Sequence, residues 1–176
     1  MAHVDLSKLS PSDAVVALRG LERRHRELFE PLGEAESPDD IAQRRGPDGW
    51  SVIDHIVAAT QAIAAANRAL ARVLIAEAPT VGPDEVDPAA RPKPAVAAGS
   101  LVEATAELGR EAAAAADRIE RVPAESWSRT AVVERGPDRS VTALDIARAA
   151  VDAGVSHLRA AQDVLAAVGG RPADGW

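Results

Sequence analysis

The side chains in this sequence that are best suited to chemistry are histidines. The chain has no cysteine, which excludes disulfides, thiolate metal ligands and a cysteine nucleophile. Of the four histidines, His3 belongs to the terminal segment, whereas His25, His55 and His157 each lie on the apolar side of a predicted helix. An inward-facing imidazole can bind a metal, act as an acid or base, or only pack with one hydrogen bond. The candidate catalytic residues are therefore His25, His55 and His157, with packing as the alternative role for each.

Other polar motifs point to weaker candidates. Trp50 precedes a serine that can begin a helix, so it is predicted to be a hydrophobic staple or a lid over the end of the bundle, with ligand stacking as the alternative. Asp54 is better placed to cap that helix than to act as a catalytic acid. Glu103 and Glu107 have the i, i+4 spacing of a carboxylate site, with solvated surface charge as the alternative. The sequence contains no glycine-rich phosphate loop, Ser-His-Asp order or HExxH motif.

The elements that must position these residues are four predicted helices, each of which opens with a capping signal. The hydroxyl–acid pairs are Ser10 with Asp13, Ser51 with Asp54, Ser100 with Glu103, and Thr142 with Asp145. Apolar residues recur at helical spacing after each pair. The predicted helices span 11–32, 51–77, 100–122 and 142–168, with boundaries good to about two to four residues.

The connections suit a single domain, residues 1–176. Residues 78–99 hold five prolines and form a long irregular crossover. About 20 residues can span the length of a bundle, so the second and third helices can run parallel. We predict an all-α four-helix bundle with a long crossover between helices 2 and 3, a short extended piece at Thr130–Val133, and mobile tails at 1–9 and 171–176. A sheet of three or more strands would contradict this prediction.

Composition favours helices and excludes several function classes. The chain has 39 alanines among 176 residues and only 2% aromatic residues, which favours helix over strand. Its net charge of −7 disfavours nucleic-acid binding. Charged or polar residues interrupt the most apolar stretch, 56–75, so no membrane span is expected, and no leader is visible. We expect a cytoplasmic protein with neither a nucleic-acid nor a membrane partner.

Several segments together resemble a known family. GWSVID at 49–54, followed by an apolar helix, resembles the start of the second helix in the DinB/YfiT-like superfamily. ESW at 125–127, VTALD at 141–145 and HL at 157–158 are similar to it as well. Their order extends the resemblance over nearly the whole chain. It implies a four-helix bundle with a long second crossover, related to actinobacterial mycothiol-dependent maleylpyruvate isomerases and thiol S-transferases, in which a divalent metal activates a thiol.

The resemblance also implies a three-histidine metal site, of which this sequence keeps one position. In the family, one histidine follows the tryptophan by eight residues, and two form His-x-x-x-His on the last helix. Those positions are here Ala58, Ala153 and His157. Alanine cannot coordinate a metal, so we predict no metal at the family position and no cofactor. The alternative is a zinc or nickel ion in a relocated site, where His55 or His25 replaces the lost ligands.

The three inward histidines fall at one end of the fold if helix 2 is antiparallel to helices 1 and 4, as the resemblance implies. At 1.5 Å per residue, His25 and His157 lie roughly 22 Å along their helices, and His55 roughly 6 Å along its own. We expect His55 and His157 to point into one cavity, with His25 close by. The predicted ligand cavity is lined by Trp50, His55, Ala58, Ala153 and His157.

Three functions follow from these patterns. The first is a bundle protein that has lost the family's metal site and binds a small molecule in the cavity at the bundle end. The second is a metal-dependent thiol S-transferase or maleylpyruvate-isomerase-like enzyme that uses a relocated histidine site. The third is a non-catalytic interaction protein that forms a homodimer through an apolar helix face.

Overall fold

The computed structural model describes residues 8–30, 37–87, 99–134 and 139–169. The helices are α1 (Pro11–Arg19), α2 (Leu21–Glu27), α3 (Pro38–Gln43), α4 (Val52–Ile75), α5 (Pro83–Val86), α6 (Leu101–Glu120) and α7 (Ala143–Gly169). The strands are β1 (Thr80–Val81), β2 (Thr130–Val133) and β3 (Ser140–Thr142), and a 3₁₀ helix spans Ala124–Ser128. The mainly helical class is confirmed. The tails predicted to be mobile lie outside the described residues, apart from Lys8 and Leu9.

The long helical segments begin at the capping pairs that the sequence predicts. Ser10 Oγ accepts a hydrogen bond from the Asp13 N–H, and the Asp13 carboxylate accepts one from the Ser10 N–H. The same reciprocal pairing occurs in Ser51–Asp54, Ser100–Glu103 and Thr142–Asp145. Such caps satisfy N–H groups that the first turn leaves without helical partners. This explains why α1, α4, α6 and α7 begin within one residue of the predicted starts.

The first predicted helix, 11–32, is divided at Gly20 and ends earlier than predicted. Glycine is a poor helix former, yet the helical hydrogen bonds continue on both sides of Gly20, so α2 follows the direction of α1. After Glu27 the N–H groups of Leu28 and Phe29 donate to carbonyls three residues back. This tightening is typical of a helix end. The last two residues of that predicted helix lie outside the described chain.

A three-stranded sheet corrects the strictly all-α prediction. β1 pairs in parallel with β2, which pairs antiparallel with β3. The extended piece predicted at Thr130–Val133 is confirmed as β2. The other two strands have only two and three residues, too few for an alternating pattern to be recognised. Valine and threonine suit these strands, and the buried Val81, Val133 and Val141 join the sheet to the helical core.

The core lies between α4 and its neighbours. α4 packs against α6 and α7, and α1 packs against the same two helices. The apolar stripe predicted for α4 is buried there, including Ile56, Ile63 and Leu70. Even so, none of the helices in the described ranges combines the length and the apolarity that a membrane crossing requires.

Contacts at the helix ends show in which direction α4 and α7 run. Arg129 donates from Nε to Val73 O and from Nη2 to Ala76 O, at the end of α4. The carbonyl of Arg129 accepts from the N–H of Ala143, the first residue of α7. The beginning of α7 therefore lies beside the end of α4, and these two helices are antiparallel. His55, near the beginning of α4, is thereby brought to the second half of α7.

α6 runs in the same direction as α4. The N–H of Leu101, at the beginning of α6, donates to Asp39 of α3, the short helix that precedes α4. Arg118, near the end of α6, donates to Asn67 in the second half of α4. The parallel arrangement is the one that the long crossover permits.

Two glycines let α2 approach its neighbours closely. A Cβ added to Gly154 of α7 would lie 2.5 Å from Leu21 Cδ1, and one added to Gly109 of α6 would overlap the Glu22 carboxylate. Leu21 is buried, whereas the Glu22 side chain is 40% exposed. The contact at Gly154 is therefore part of the core, and the contact at Gly109 lies at its edge.

Candidate functional site

Three rings meet where α4 begins beside the second half of α7. The ring centroids of Trp50 and His55 are 4.8 Å apart with 18° between the planes, and those of Trp50 and His157 are 6.0 Å apart with 26°. The two imidazole centroids are 5.5 Å apart. We call Trp50, His55 and His157 the aromatic cluster. The structure thus brings together two of the three candidate catalytic histidines and stacks Trp50 on both.

A hydrogen bond joins the two imidazoles directly. His55 Nδ1 and His157 Nδ1 are 3.2 Å apart, so one of these nitrogens donates its proton and the other accepts it. When both rings are neutral, the donor ring has no proton on Nε2, and the acceptor ring carries its proton there. The neutral pair therefore has one Nε2–H group and one Nε2 lone pair, and the position of the central proton decides which ring has which.

The cluster has a buried side and a more exposed side. His55 is only 5% exposed, whereas His157 and Trp50 are half-buried. His55 belongs to α4, the central helix, and His157 belongs to α7. The imidazole pair therefore connects the interior of the fold with its surface.

The turn at 45–51 positions the Trp50 ring. The Gly46 N–H donates to Trp50 O at 2.7 Å, and the Gly49 N–H donates to Gly46 O at 2.9 Å. Gly49 has φ of 78°, a conformation that side chains disfavour. The Trp50 N–H donates to Asp48 Oδ1 at 3.0 Å. Both backbone polar groups of Trp50 are hydrogen-bonded within the turn. The backbone position from which the indole ring extends is therefore fixed.

Asp54 ties this turn to α4. Its Oδ2 accepts hydrogen bonds from the Ser51 N–H at 3.0 Å and from Arg45 Nη1 at 3.3 Å. Arg45 Nη1 also donates to Gly49 O at 2.6 Å. The Asp54 side chain is 2% exposed, and a buried carboxylate needs such partners. The predicted capping role of Asp54 is confirmed, and the same carboxylate holds the turn that carries Trp50.

Gly46 brings the turn against α7. A Cβ added at Gly46 would lie 3.0 Å from Val164 Cγ2, so only a glycine fits this contact without a shift. Val164 follows His157 by seven residues, about two helical turns, and therefore lies on the same side of α7. The contact places the turn on the side of α7 that carries His157.

His25 lies outside the aromatic cluster. It is fully buried, and its Nδ1–H donates to Leu21 O at 2.9 Å, one turn back in α2. Its Nε2 has no hydrogen-bond partner among the residues that the structure describes. Burial lowers the pKa of His25 below its usual 6.5, and the hydrogen bond to Leu21 acts in the opposite direction. No ring contact or hydrogen bond within the described ranges joins it to His55 or His157, and the expectation that it lies close by stays a prediction.

The two alanines at the positions where the resemblance predicts metal ligands lie close to the imidazole pair along α4 and α7. Ala58 follows His55 by three residues and Ala153 precedes His157 by four, so each lies one turn from an imidazole on the same helix face. Both are buried. In the described part of the chain, no group of three or more histidine or carboxylate side chains could hold a metal. The aromatic cluster supplies two imidazoles, one fewer than the three protein ligands of a catalytic zinc site.

The Glu103 and Glu107 pair has ordinary structural roles. Glu103 completes the cap of α6 with Ser100. Glu107 pairs with Arg110 on the exposed side of the same helix. The surface-charge alternative therefore accounts for these carboxylates.

Comparisons with protein-family models, with curated proteins and with solved structures find no match for this chain. The DinB/YfiT-like resemblance, with the metal site and chemistry that it implies, therefore stays a prediction.

Sequence reasoning did not predict the groups that support the cluster. The pairing of Arg45 with Asp54 and the seating of Gly46 on Val164 join positions that have no local signal in common. The turn residues of GPDG at 46–49 indicate a tight turn. They do not show which helix the turn packs against.

Proposed function

We propose that this chain is a four-helix bundle protein of DinB/YfiT-like type that lacks the family's three-histidine metal site and binds a small planar molecule at the aromatic cluster. The observation that carries the proposal is the stack of Trp50 on His55 and His157, with the two Nδ1 atoms 3.2 Å apart. As the sequence predicts, it acts in the cytoplasm without a nucleic-acid or membrane partner.

The ring planes favour a planar ligand. The Trp50 plane lies within 18° and 26° of the two imidazole planes, so a flat molecule added to this stack continues the same offset packing. Trp50 and His157 are the half-buried members of the cluster, and a ligand reaches them first. The turn at 45–51 holds Trp50 in place, so less conformational entropy is lost when a ligand binds.

The imidazoles give the ligand polar recognition as well as stacking. The Nε2 atom of His55 is buried, so polar recognition falls to the half-buried ring of His157, whose Nε2 is a donor or an acceptor according to the position of the central proton. A heteroaromatic ring, amide or carboxylic acid has matching groups in one plane. The chemical class that fits is therefore a small planar molecule with a hydrogen-bonding edge.

The relocated-metal alternative makes a different prediction for the same residues. A divalent zinc or nickel ion would replace the proton between the two Nδ1 atoms and would need at least one further protein ligand or a ligand from solvent. The homodimer alternative predicts that the chain elutes at twice its monomer mass. Titration with zinc or nickel tests the metal alternative, and a measurement of mass in solution tests the homodimer alternative.

The proposal is tested by NMR of the full chain during titration with a library of planar aromatic and heteroaromatic fragments, with cyclohexane counterparts as controls. We expect planar fragments to shift the signals of Trp50, His55 and His157 together. Trp50→Ala should weaken their affinity by about tenfold or more. Trp127→Ala is the matched control, because Trp127 packs against the core from the 3₁₀ helix rather than in the cluster.

Two results would overturn the proposal. One is a set of planar fragments whose binding maps to other residues. The other is equal loss of affinity in the Trp50 and Trp127 variants, which would indicate a general loss of structure rather than a lost site.

A further inference from the structure

We propose that the facing Nδ1 atoms of His55 and His157 form a binding site for one monovalent copper ion, Cu(I), beside the ring of Trp50. Its basis is the approach of the two Nδ1 atoms to 3.2 Å and the stacking of Trp50 on both imidazoles. The site goes beyond the proposed function and does not rest on it. The ion lies between the imidazoles, whereas the planar molecule stacks on the more exposed side of the cluster.

The number of ligands decides which class of metal ion fits. Within the described ranges, no third histidine or carboxylate completes a metal-binding group with the two imidazoles. Zinc takes three or four protein ligands. Cu(I) is a monovalent d¹⁰ ion that two ligands in a straight line can bind, and imidazole nitrogen is one of the donors that suit copper. The pair therefore favours Cu(I) over divalent zinc, nickel or copper.

The hydrogen bond between the imidazoles resembles the geometry of a linear metal site. In an Nδ1–H···Nδ1 bond, the lone pair of one ring points at the proton on the other. The two nitrogens therefore face each other, as they do across a two-coordinate ion. Two imidazole–metal bonds of about 2 Å each require the Nδ1 atoms to separate by roughly 0.8 Å. His157 is half-buried, so its side chain can make this shift while the buried His55 stays in place.

Binding of the ion moves one proton and releases none. The neutral pair holds two protons, one between the Nδ1 atoms and one on an Nε2 atom. When both Nδ1 lone pairs bind the ion, the central proton moves to the Nε2 of the ring that held it. Each imidazole is then a neutral ligand. The ion stays Cu(I), so no electrons are transferred.

Trp50 stabilises the positive charge that the ion brings. The Trp50 centroid lies 4.8 Å from that of His55 and 6.0 Å from that of His157. An ion between the two rings is therefore within the range in which the face of a tryptophan attracts a cation, about 6 Å. This attraction is strongest where water is excluded, and His55 is only 5% exposed.

The test is an anaerobic titration of the full chain with Cu(I), without any planar fragment. A second titration uses Ag(I), which has the same preference for two ligands and is stable in air. We expect one ion per chain, a change in tryptophan emission that Trp50→Phe removes, and NMR shifts of His55 and His157 but not of His25. Zinc should bind about 100-fold more weakly or not at all.

X-ray absorption of the Cu(I) complex measures the ligand set directly. It should show two nitrogen neighbours at about 2 Å. Three or four neighbours, or zinc binding as tight as that of Cu(I), would overturn the proposal. Because no fragment is present, either result leaves the planar-ligand proposal to its own test.

Variants distinguish this site from the other histidines. His157→Ala removes one of two ligands, so the affinity for Cu(I) should fall by about 100-fold or more. His25→Leu is the matched control, because the His25 ring bonds to the Leu21 carbonyl of its own helix, and its affinity should be unchanged. His3 lies outside the described residues, so the titration is repeated with His3→Ala, which should bind equally well. Unchanged affinity in a folded His157→Ala chain, or lost binding in His3→Ala, would refute the site.

Discussion

Histidines on apolar helix faces make different contacts in two regions of the molecule. One region is the core around His25, and the other is the aromatic cluster. The His25 ring turns back onto its own helix and bonds to the Leu21 carbonyl, and it is fully buried. The rings of His55 and His157 instead meet across two antiparallel helices beneath Trp50. An apolar face therefore indicates that an imidazole points inward, but the neighbouring element decides whether it packs or forms a site.

The difference arises from what lies opposite each helix. Opposite α2 are Gly154 and Gly109, which let its backbone approach closely and leave little room beside it. At the beginning of α4 the neighbouring elements are α7, which carries His157, and the turn at 45–51, which carries the Trp50 ring. We expect changes to the first region to alter stability and changes to the second to alter the imidazole pair.

The largest expected effect is on the close contact of α2. Gly154→Ala places a Cβ 2.5 Å from the buried Leu21 Cδ1, so the free energy of unfolding should fall by about 2 kcal/mol. Gly109→Ala is the matched control, because the half-exposed Glu22 can move aside. It should stabilise the protein by up to about 1 kcal/mol. Chemical denaturation measures both, and equal stability of the two variants would contradict this account of the core.

The next test compares two capping carboxylates, Asp54 beside the aromatic cluster and Asp13 at the start of α1. Asp54→Ala removes the partner of Ser51 and Arg45 from a buried position, so we expect a loss of about 2 kcal/mol in the free energy of unfolding. Asp13→Ala removes the equivalent cap of α1 in an exposed position, so we expect a smaller loss than for Asp54→Ala.

The same pair also tests how Trp50 is held. Only Asp54→Ala should shift the ring signals of His55 and His157, because only that cap supports the turn at 45–51. Unchanged ring signals in a folded Asp54 variant would show that Trp50 is held in place by something else.

A gradual effect on stability is expected from pH. Burial lowers the pKa of His25 below 6.5, so both the folded and the unfolded chain hold it neutral above that pH. As the pH falls below 6.5, the unfolded chain takes up the proton first, and the folded state loses stability by up to about 1.4 kcal/mol per pH unit. His25→Leu should remove this dependence, as measured by urea denaturation from pH 7.5 to 5 relative to the original chain. An identical pH dependence in the two chains would show that His25 does not cause it.

Much of the fold could be predicted from the sequence because its signals are local. Each reciprocal cap joins residues three positions apart, and the apolar stripes repeat at helical spacing, so the sequence predicts the starts of the long helices to within one residue and their ends less closely. The sequence does not predict β1 and β3, because strands of two and three residues depend on partners distant in the chain. The pairing of α4 with α7 places His55 beside His157, as expected. The hydrogen bond from His25 to the Leu21 carbonyl depends on tertiary packing, which residue spacing along a helix does not specify.

The central claim, that Trp50, His55 and His157 form one ligand site, is tested most directly by a crystal structure of the chain with the tightest-binding planar fragment. The account predicts a fragment ring stacked on the cluster, with its centroid about 4.5 to 7 Å from that of Trp50 or His157. It also predicts a polar atom of the fragment within hydrogen-bonding distance of an imidazole nitrogen. A fragment bound elsewhere, with Trp50 still packed on the two imidazoles, would contradict it.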